Sequence, residues 1–156
     1  MPKNIITISL AQEQDVEDIF HLLAPSVSSE IILPRSRENI REYLHNFLVA
    51  KSDGVLAGCV ALRDFGDGLH EVRSLAVAPE FAGEGLGSKL VQQAVSLAVQ
   101  RQGKMVFTLT VRPNLFLRMG FKVVANDYFP QKVWADCRLC PKKDRCNEIA
   151  LCQELA

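Results

Sequence analysis

Three glycines alternate at Gly83, Gly85 and Gly87, between the apolar run Glu71–Val77 and a long amphipathic stretch that reaches about Arg101. No other feature restricts the fold as much. Glycine admits positive φ and lets a backbone approach a ligand closely. A helix start carries unpaired N–H groups and a partial positive charge. A glycine bend feeding a helix is therefore a site for a phosphate or pyrophosphate. The spacing alone equally fits a plain strand-to-helix turn. A P-loop is excluded, because Ser88 follows Gly87 where Lys-Ser/Thr would be needed. A Rossmann arrangement is excluded on the expectation that no βαβ unit with an acidic ribose partner follows.

The segments around the bend are read from periodicity. Asn4–Leu10 is a β-branched strand. Gln12–Leu23 is a helix with Val16, Ile19, Phe20 and Leu23 at helical spacing, broken at Pro25 and the serines that follow. Arg37 to about Asn46 is a second helix, with Ile40, Tyr43, Leu44 and Phe47 on one side. Phe47–Ala50 and Val55–Leu62 form a hairpin about Ser52-Asp53-Gly54. Asp64–Gly68 is another turn. The long helix buries Leu86, Leu90, Ala94, Val95 and Ala98, and Gly103 stops it. Met105–Val111 is a strand, Pro113–Met119 a short helix, and Ile149–Leu155 a closing strand. The expectation is one α/β domain over 1–156, with a central mixed, mostly antiparallel sheet flanked by helices. Residues 132–156 form a short Cys-rich C-terminal tail packed on the same domain.

Length and composition bound the function. One hundred and fifty-six residues, 48% hydrophobic and 23% charged, bury a core without disulfides. Eighteen basic and eighteen acidic residues cancel, which argues against nucleic acid as a partner. No apolar run approaches the roughly 20 residues a membrane span needs, and the start lacks the apolar region of a secretory signal. A cytoplasmic location with reduced thiols is expected. A homodimer is compatible with the sequence, which fixes no oligomeric state.

Few residues suggest chemistry. Glu71 and Arg73, two apart on one strand, should share a sheet face with Leu75 and Val77. They form either a salt bridge or part of a reaction centre. Cys59 lies mid-strand in an apolar run and reads as packing, not as a nucleophile. Cys137-x2-Cys140-x5-Cys146, with Cys152 beyond, contains a zinc half-site spacing. The wide second pair favours packing, thiols or an oxidative disulfide, and no metal is assigned. His21, His45 and His70 are isolated packing or surface residues, with His70 beside Glu71. Phe129 and Trp134 should pin the tail to the body.

The run Glu71–Val77, then Pro79, then Gly83-x-Gly85-x-Gly87 resembles the acetyl-CoA signature of the GNAT acetyltransferase superfamily. Phe116-Leu117-Arg118-Met119-Gly120-Phe121 is similar to its closing helix and Gly-Phe step. A narrower resemblance is to the short bacterial N-acetylglutamate synthases of arginine biosynthesis. It rests on Leu33-Pro34-Arg35-Ser36, Glu71-Val72-Arg73-Ser74, Thr110 with Pro113, and the run from Lys132 to Lys142. The resemblance implies a GNAT fold and acetyl-CoA as co-substrate. The cofactor residues would be Leu75, Ala76 and Val77 on the strand and Gly83, Glu84, Gly85, Leu86, Gly87 and Ser88 on the bend. Glu71 would be the general base, acting through a water, with amides near Leu75 and Ala76 polarising the thioester carbonyl.

Arginine binds carboxylates as a fork. Arg35, Arg73 and Arg112 are therefore candidates for a dicarboxylic amino acid, with Ser36 and Thr110 beside them and Lys132 a weaker cation. Ser36 doubles as a candidate helix N-cap. Two departures stand out. Ala82 and Glu84 occupy positions where the superfamily has Arg or Gln and a basic or neutral residue. Phe116 replaces the tyrosine that protonates the leaving thiolate. The leading expectation is acetylation of the α-amino group of L-glutamate or a related small amino acid. The alternatives are another amine acceptor (amino acid, polyamine or protein N-terminus) and a non-catalytic acetyl-CoA-binding module.

Overall fold

The computed structural model describes residues 5–28, 36–125 and 149–155. The chain runs β1 (Ile6–Leu10), α1 (Val16–Ser28), α2 (Arg37–Glu42), β2 (Phe47–Ser52), β3 (Val55–Asp64), β4 (Leu69–Val77), α3 (Leu86–Gln100), β5 (Met105–Thr110), α4 (Asn114–Arg118), β6 (Lys122–Val124) and β7 (Ile149–Glu154). Single 3-10 turns precede α1, β2 and α3. The seven strands of the described residues lie in one sheet, ordered β1-β2-β3-β4-β5-β7-β6. Among them, only β4 and β5 pair in parallel.

That parallel pair needs a crossover, and α3 supplies it. The chain thus contains a βαβ unit, built from the strand, long helix and strand that the sequence predicts. It is a single unit in a sheet that is otherwise antiparallel.

Local chemistry explains most boundaries. Asp53 (φ 52°) and Gly54 (φ 80°) turn β2 into β3, the two positive φ values of a type I′ hairpin. Ser36 caps α2, its hydroxyl accepting from the Asn39 amide at 3.0 Å. The second helix ends at Glu42, and a 3-10 turn at Leu44–Asn46 leads into β2. Phe47, expected on that helix, is instead the first residue of β2, fully buried in the sheet. Helix α1 also differs from expectation, because it continues through Pro25 to Ser28. Proline removes an N–H and leaves the carbonyl four residues back unpaired. Here that residue is His21, which is exposed, so solvent can satisfy the carbonyl.

Two layers of core sandwich the sheet. On one face α3 lays Leu86, Leu90, Val91, Ala94 and Ala98 against Leu48, Val60, Leu62, Val72 and Val106. Val91 is fully buried, whereas Val95 is half-buried, so the helix is rotated from the expected stripe. On the other face Val16, Ile19, Leu23 and Ile40 cover Phe47, Val49, Cys59 and Ala61. Arg37 of α2 reaches Glu17 of α1, and Arg41 reaches Glu13 in the 3-10 turn before it; Arg37 also lies 4.0 Å over the Phe20 ring. Strand β7 enters between β5 and β6, so the end of the chain completes the same sheet.

Gly103 closes the crossover where α3 turns into β5, and its amide donates to the Ala98 carbonyl at 2.7 Å. A Cβ there would lie 2.8 Å from His70 Cδ2 and 2.9 Å from the Ala98 oxygen. Gly103→Ala should therefore destabilise the protein by about 1–3 kcal/mol through overpacking, read as a lowered midpoint in urea with an unchanged slope.

Candidate active site

The fork between β4 and β5 organises the site. The two strands pair only at Leu69–Met105, His70–Val106 and Glu71–Phe107. Beyond that, β4 continues to Val77 and β5 to Thr110 without a shared rung. The cleft opens at the carboxyl ends of parallel strands, where α/β sheets bind ligands. Glu71 stands at the last rung, 8% exposed. Arg73 is half-buried, and its Nη1 lies 3.4 Å from Glu71 Oε1. A buried carboxylate needs such a partner. The salt bridge weighed from the sequence is thus present.

The expectation that Glu71, Arg73, Leu75 and Val77 share one face is overturned. Cys59 pairs with Ala76 and Ala61 with Arg73, so Ser74 and Leu75 together face the single residue Val60. This is a β-bulge. Ser74 sits at φ 54°, a left-handed conformation that costs a non-glycine residue roughly 1–2 kcal/mol. The extra residue resets the alternation. Glu71 pairs with Phe107 and Arg73 with Ala61, on the α1–α2 face, and Ala76 joins that face. Leu75 and Val77 pack against the α3 face with Val72. The bulge therefore separates the charged half of β4 from the half that leads to the glycine bend.

At the bend, Gly83 and Gly85 have φ 81° and 76°, and a Cβ at either would meet nothing within 4 Å. Open space on a positive-φ backbone is what a close ligand requires. Gly85 is the N-cap of α3, with no side-chain cap. The first intrahelical bond runs from the Lys89 amide to the Gly85 carbonyl. The amides of Leu86, Gly87 and Ser88 thus lack intrahelical acceptors and can cradle an anion. A Cβ on Gly87 would reach Leu115 and Val77 only at 3.7 and 3.9 Å. The protein's own packing therefore leaves room for a side chain at this position. Ala82 and Glu84 are exposed on the bend, so the cradle is built of backbone donors beside one carboxylate. These residues fit the diphosphate of an acyl carrier.

Thr110 ends β5, and its hydroxyl accepts from the Arg112 amide at 3.0 Å, while Arg112 is exposed. Ser36 is exposed, and its hydroxyl caps α2. Arg35, Phe129, Lys132, Trp134, Cys137, Cys140 and Cys146 lie outside the described residues. Cys152 is buried on β7, where burial raises its thiol pKa. Among the described residues no group of three His, Cys, Asp or Glu side chains is placed to hold a metal ion. Phe116 is buried and stacks edge-on against Phe121 at 5.3 Å, so this position supplies no acid. No described helix is long and apolar enough to cross a membrane.

The roles of three residues escaped the sequence reading. Ser74 carries the bulge, Thr108 bonds to the carbonyl of Val72, and the Cys59 thiol bonds to the carbonyl of Ser74. A serine in a strand pattern gives no sign of positive φ. Buried Thr and Cys look like core.

A parallel fork thus carries a buried carboxylate at its base, and a glycine bend with helix-start amides follows β4. The profile of the acetyltransferase (GNAT) family matches residues 14–121, and the chain belongs to that family. An uncharacterized N-acetyltransferase of Chlorobaculum tepidum is 38% identical over 99% of this chain and all of its own length. An amino-acid acetyltransferase of Shewanella oneidensis is 32% identical over 78% of this chain. The N-acetylglutamate synthase of Neisseria gonorrhoeae, solved with coenzyme A and N-acetyl-glutamate, superposes with a TM-score of 0.89 at 27% identity over 99% of this chain. The chain spans only 28% of the Shewanella protein and 36% of the Neisseria chain. The protein is therefore an N-acetyltransferase that takes acetyl-CoA as co-substrate.

His70 is buried beside Glu71 in sequence but points to the opposite face, against Gly103. Its Nδ1 has no hydrogen-bond partner, and desolvation lowers its pKa. Asp64 opposes that shift and Arg101 adds to it. A histidine held neutral when folded takes up protons on unfolding below about pH 6.5. Stability should thus be full above that pH and fall as the solution is acidified towards the lowered folded value. His70→Leu should flatten this dependence in thermal melts recorded between pH 5 and 8.

Proposed function

We propose that the protein acetylates the α-amino group of L-glutamate or a closely related small amino acid, as a step of arginine biosynthesis. The observation that carries this reading is the Glu71–Arg73 ion pair at the base of the β4–β5 fork. The carboxylate is a proton acceptor, and the guanidinium is a cation for an acidic acceptor. The Shewanella and Neisseria relatives, named for amino-acid acetylation and N-acetylglutamate synthesis, support the same acceptor class. Both are much longer chains, so their whole-protein activity comes here as a proposal.

Acetyl-CoA supplies the acetyl group as a thioester. The chain's residues bind it, orient it and move the proton. Amides of Leu86, Gly87 and Ser88, with the open backbone at Gly83 and Gly85, hold the diphosphate beside Glu84. Leu75, Ala76 and Val77 line the acyl arm, and the Leu75 and Ala76 amides face the carbonyl oxygen as charge develops on it. Glu71 takes the proton of the incoming ammonium group through a water. The amine attacks directly, with both substrates bound, and Cys59 forms no covalent intermediate. With Phe116 in the core, the coenzyme A thiolate leaves without a tyrosine acid, which a thiol of pKa about 8.5 tolerates near neutrality. Arg35, Ser36, Arg73, Thr110 and Arg112 are assigned to the amino-acid carboxylates.

A second reading keeps the fold and changes the acceptor. The full-length Chlorobaculum relative carries no named acceptor, and Ser36 and Thr110 already have local bonds. Coenzyme A release measured across the amino acids, polyamines and N-terminal peptides decides between them. Highest kcat/KM with glutamate supports the first reading, and a basic or peptide acceptor overturns it.

Two variants test the assignments. Glu71→Gln should lower kcat about 10²–10⁴-fold, the usual range for a lost general base, with acetyl-CoA affinity intact by calorimetry; unchanged kcat would clear Glu71 of the role. Gly85→Glu adds bulk and negative charge at φ 76° and should abolish acetyl-CoA binding in the same titration.

A further inference from the structure

The stretch Val72–Ser74 of β4 is held by two side-chain donors. Thr108 Oγ1 donates to the Val72 carbonyl at 2.9 Å, one residue past the last β4–β5 rung. Cys59 Sγ donates to the Ser74 carbonyl at 3.5 Å from the adjoining strand β3. Both side chains are buried, Thr108 to 3% and Cys59 to 0% exposure. Neither has a part in the chemistry proposed above.

Each bond answers a need created by the fork. Where two strands part, a buried carbonyl loses its ladder partner, and an unmade buried hydrogen bond is costly. The Thr108 hydroxyl donates to the Val72 carbonyl there. Ser74 is in a left-handed conformation, which persists only where the surroundings hold it. The Cys59 thiol bonds that residue's carbonyl.

The consequence follows from the planar peptide. A carbonyl and the next residue's N–H belong to one rigid unit and point in opposite directions. Fixing the Ser74 carbonyl fixes the Leu75 amide, and fixing the Val72 carbonyl fixes the Arg73 amide. We propose that Cys59 and Thr108 are positioning residues, which lock the Ser74–Leu75 and Val72–Arg73 peptide planes and so aim the Leu75 amide, and with it the Arg73 side chain, at the reacting centre. The inference rests on the acyl-transfer reading of the fork.

Four variants test it: Thr108→Val and Cys59→Ala remove a donor, and Thr108→Ser and Cys59→Ser keep one. With the acceptor that the wild type uses, Thr108→Val and Cys59→Ala should each lower kcat about tenfold or more, with KM for acetyl-CoA within about threefold, the pattern of an interaction realised in the transition state. The serine variants should recover most of kcat, which mere loss of packing volume would not predict for Cys59→Ser. Amide hydrogen exchange, followed by NMR without any acceptor, should be faster at Leu75 in Cys59→Ala and at Arg73 in Thr108→Val, and near wild type in the serine variants. Unchanged exchange at those two amides overturns the proposal, as does an equal loss of kcat in the serine and non-donor variants. If the wild type releases no thiol with any amine, the acyl-transfer reading fails, and the exchange data alone then decide whether the two side chains hold the planes. If Cys59→Ala does not fold, the isosteric Thr108→Val comparison carries the decision.

Discussion

Two neighbouring parallel strands cannot both stay paired and admit a ligand between them. In this protein β4 and β5 share three rungs and then separate. Each backbone group released at the fork must find another partner or meet solvent or substrate. Much of the site answers that constraint. The Val72 carbonyl takes a threonine hydroxyl, the Ser74 carbonyl takes a thiol, and the strand gains an extra residue that turns its later amides. The antiparallel strands on either side, β1–β3 and β7–β6, stay paired and brace the opening.

The electrostatics follow from the same place. A carboxylate at the end of the last rung is buried, so it is paired with an arginine two residues on. The ion pair lies on the α1–α2 face, whereas the glycine bend is reached from the α3 face through Leu75 and Val77. One strand thereby serves two sides of the sheet. Its charged half stands at the base of the fork, and its apolar half leads the chain to the glycine bend at the start of α3. The helix-end amides of the bend take their position from packing of Leu86 and Leu90 into the sheet.

Much of this was legible before any coordinates. Alternation and turn residues placed β2, β3, β4, β5 and β7 to within a few residues, because Asp53-Gly54, Pro79 and Gly103 punctuate strongly. Glycine alternation marked the bend, since no other residue tolerates φ near 80° without strain. The misreadings share a cause. Pro25 reads as a helix stop, yet solvent at an exposed turn removes the penalty. Phe47 fits a helical stripe and a strand start equally. The face of Leu75 was mistaken because strict period-two alternation assumes no bulge, and Ser74 carries no local mark of one.

By itself the sequence determined the local alphabet of this protein: which segments are helix or strand, where glycine must be, and that a buried strand would carry Glu71 and Arg73. Periodicity and backbone preference are properties of near neighbours, so they can be read along the chain. Only the tertiary structure decided where β4 and β5 part, which face each β4 residue takes, and that Cys59 and Thr108 reach carbonyls 15 and 36 residues away. Those outcomes depend on partners distant in sequence, and no local pattern encodes which buried donor will meet which orphaned acceptor.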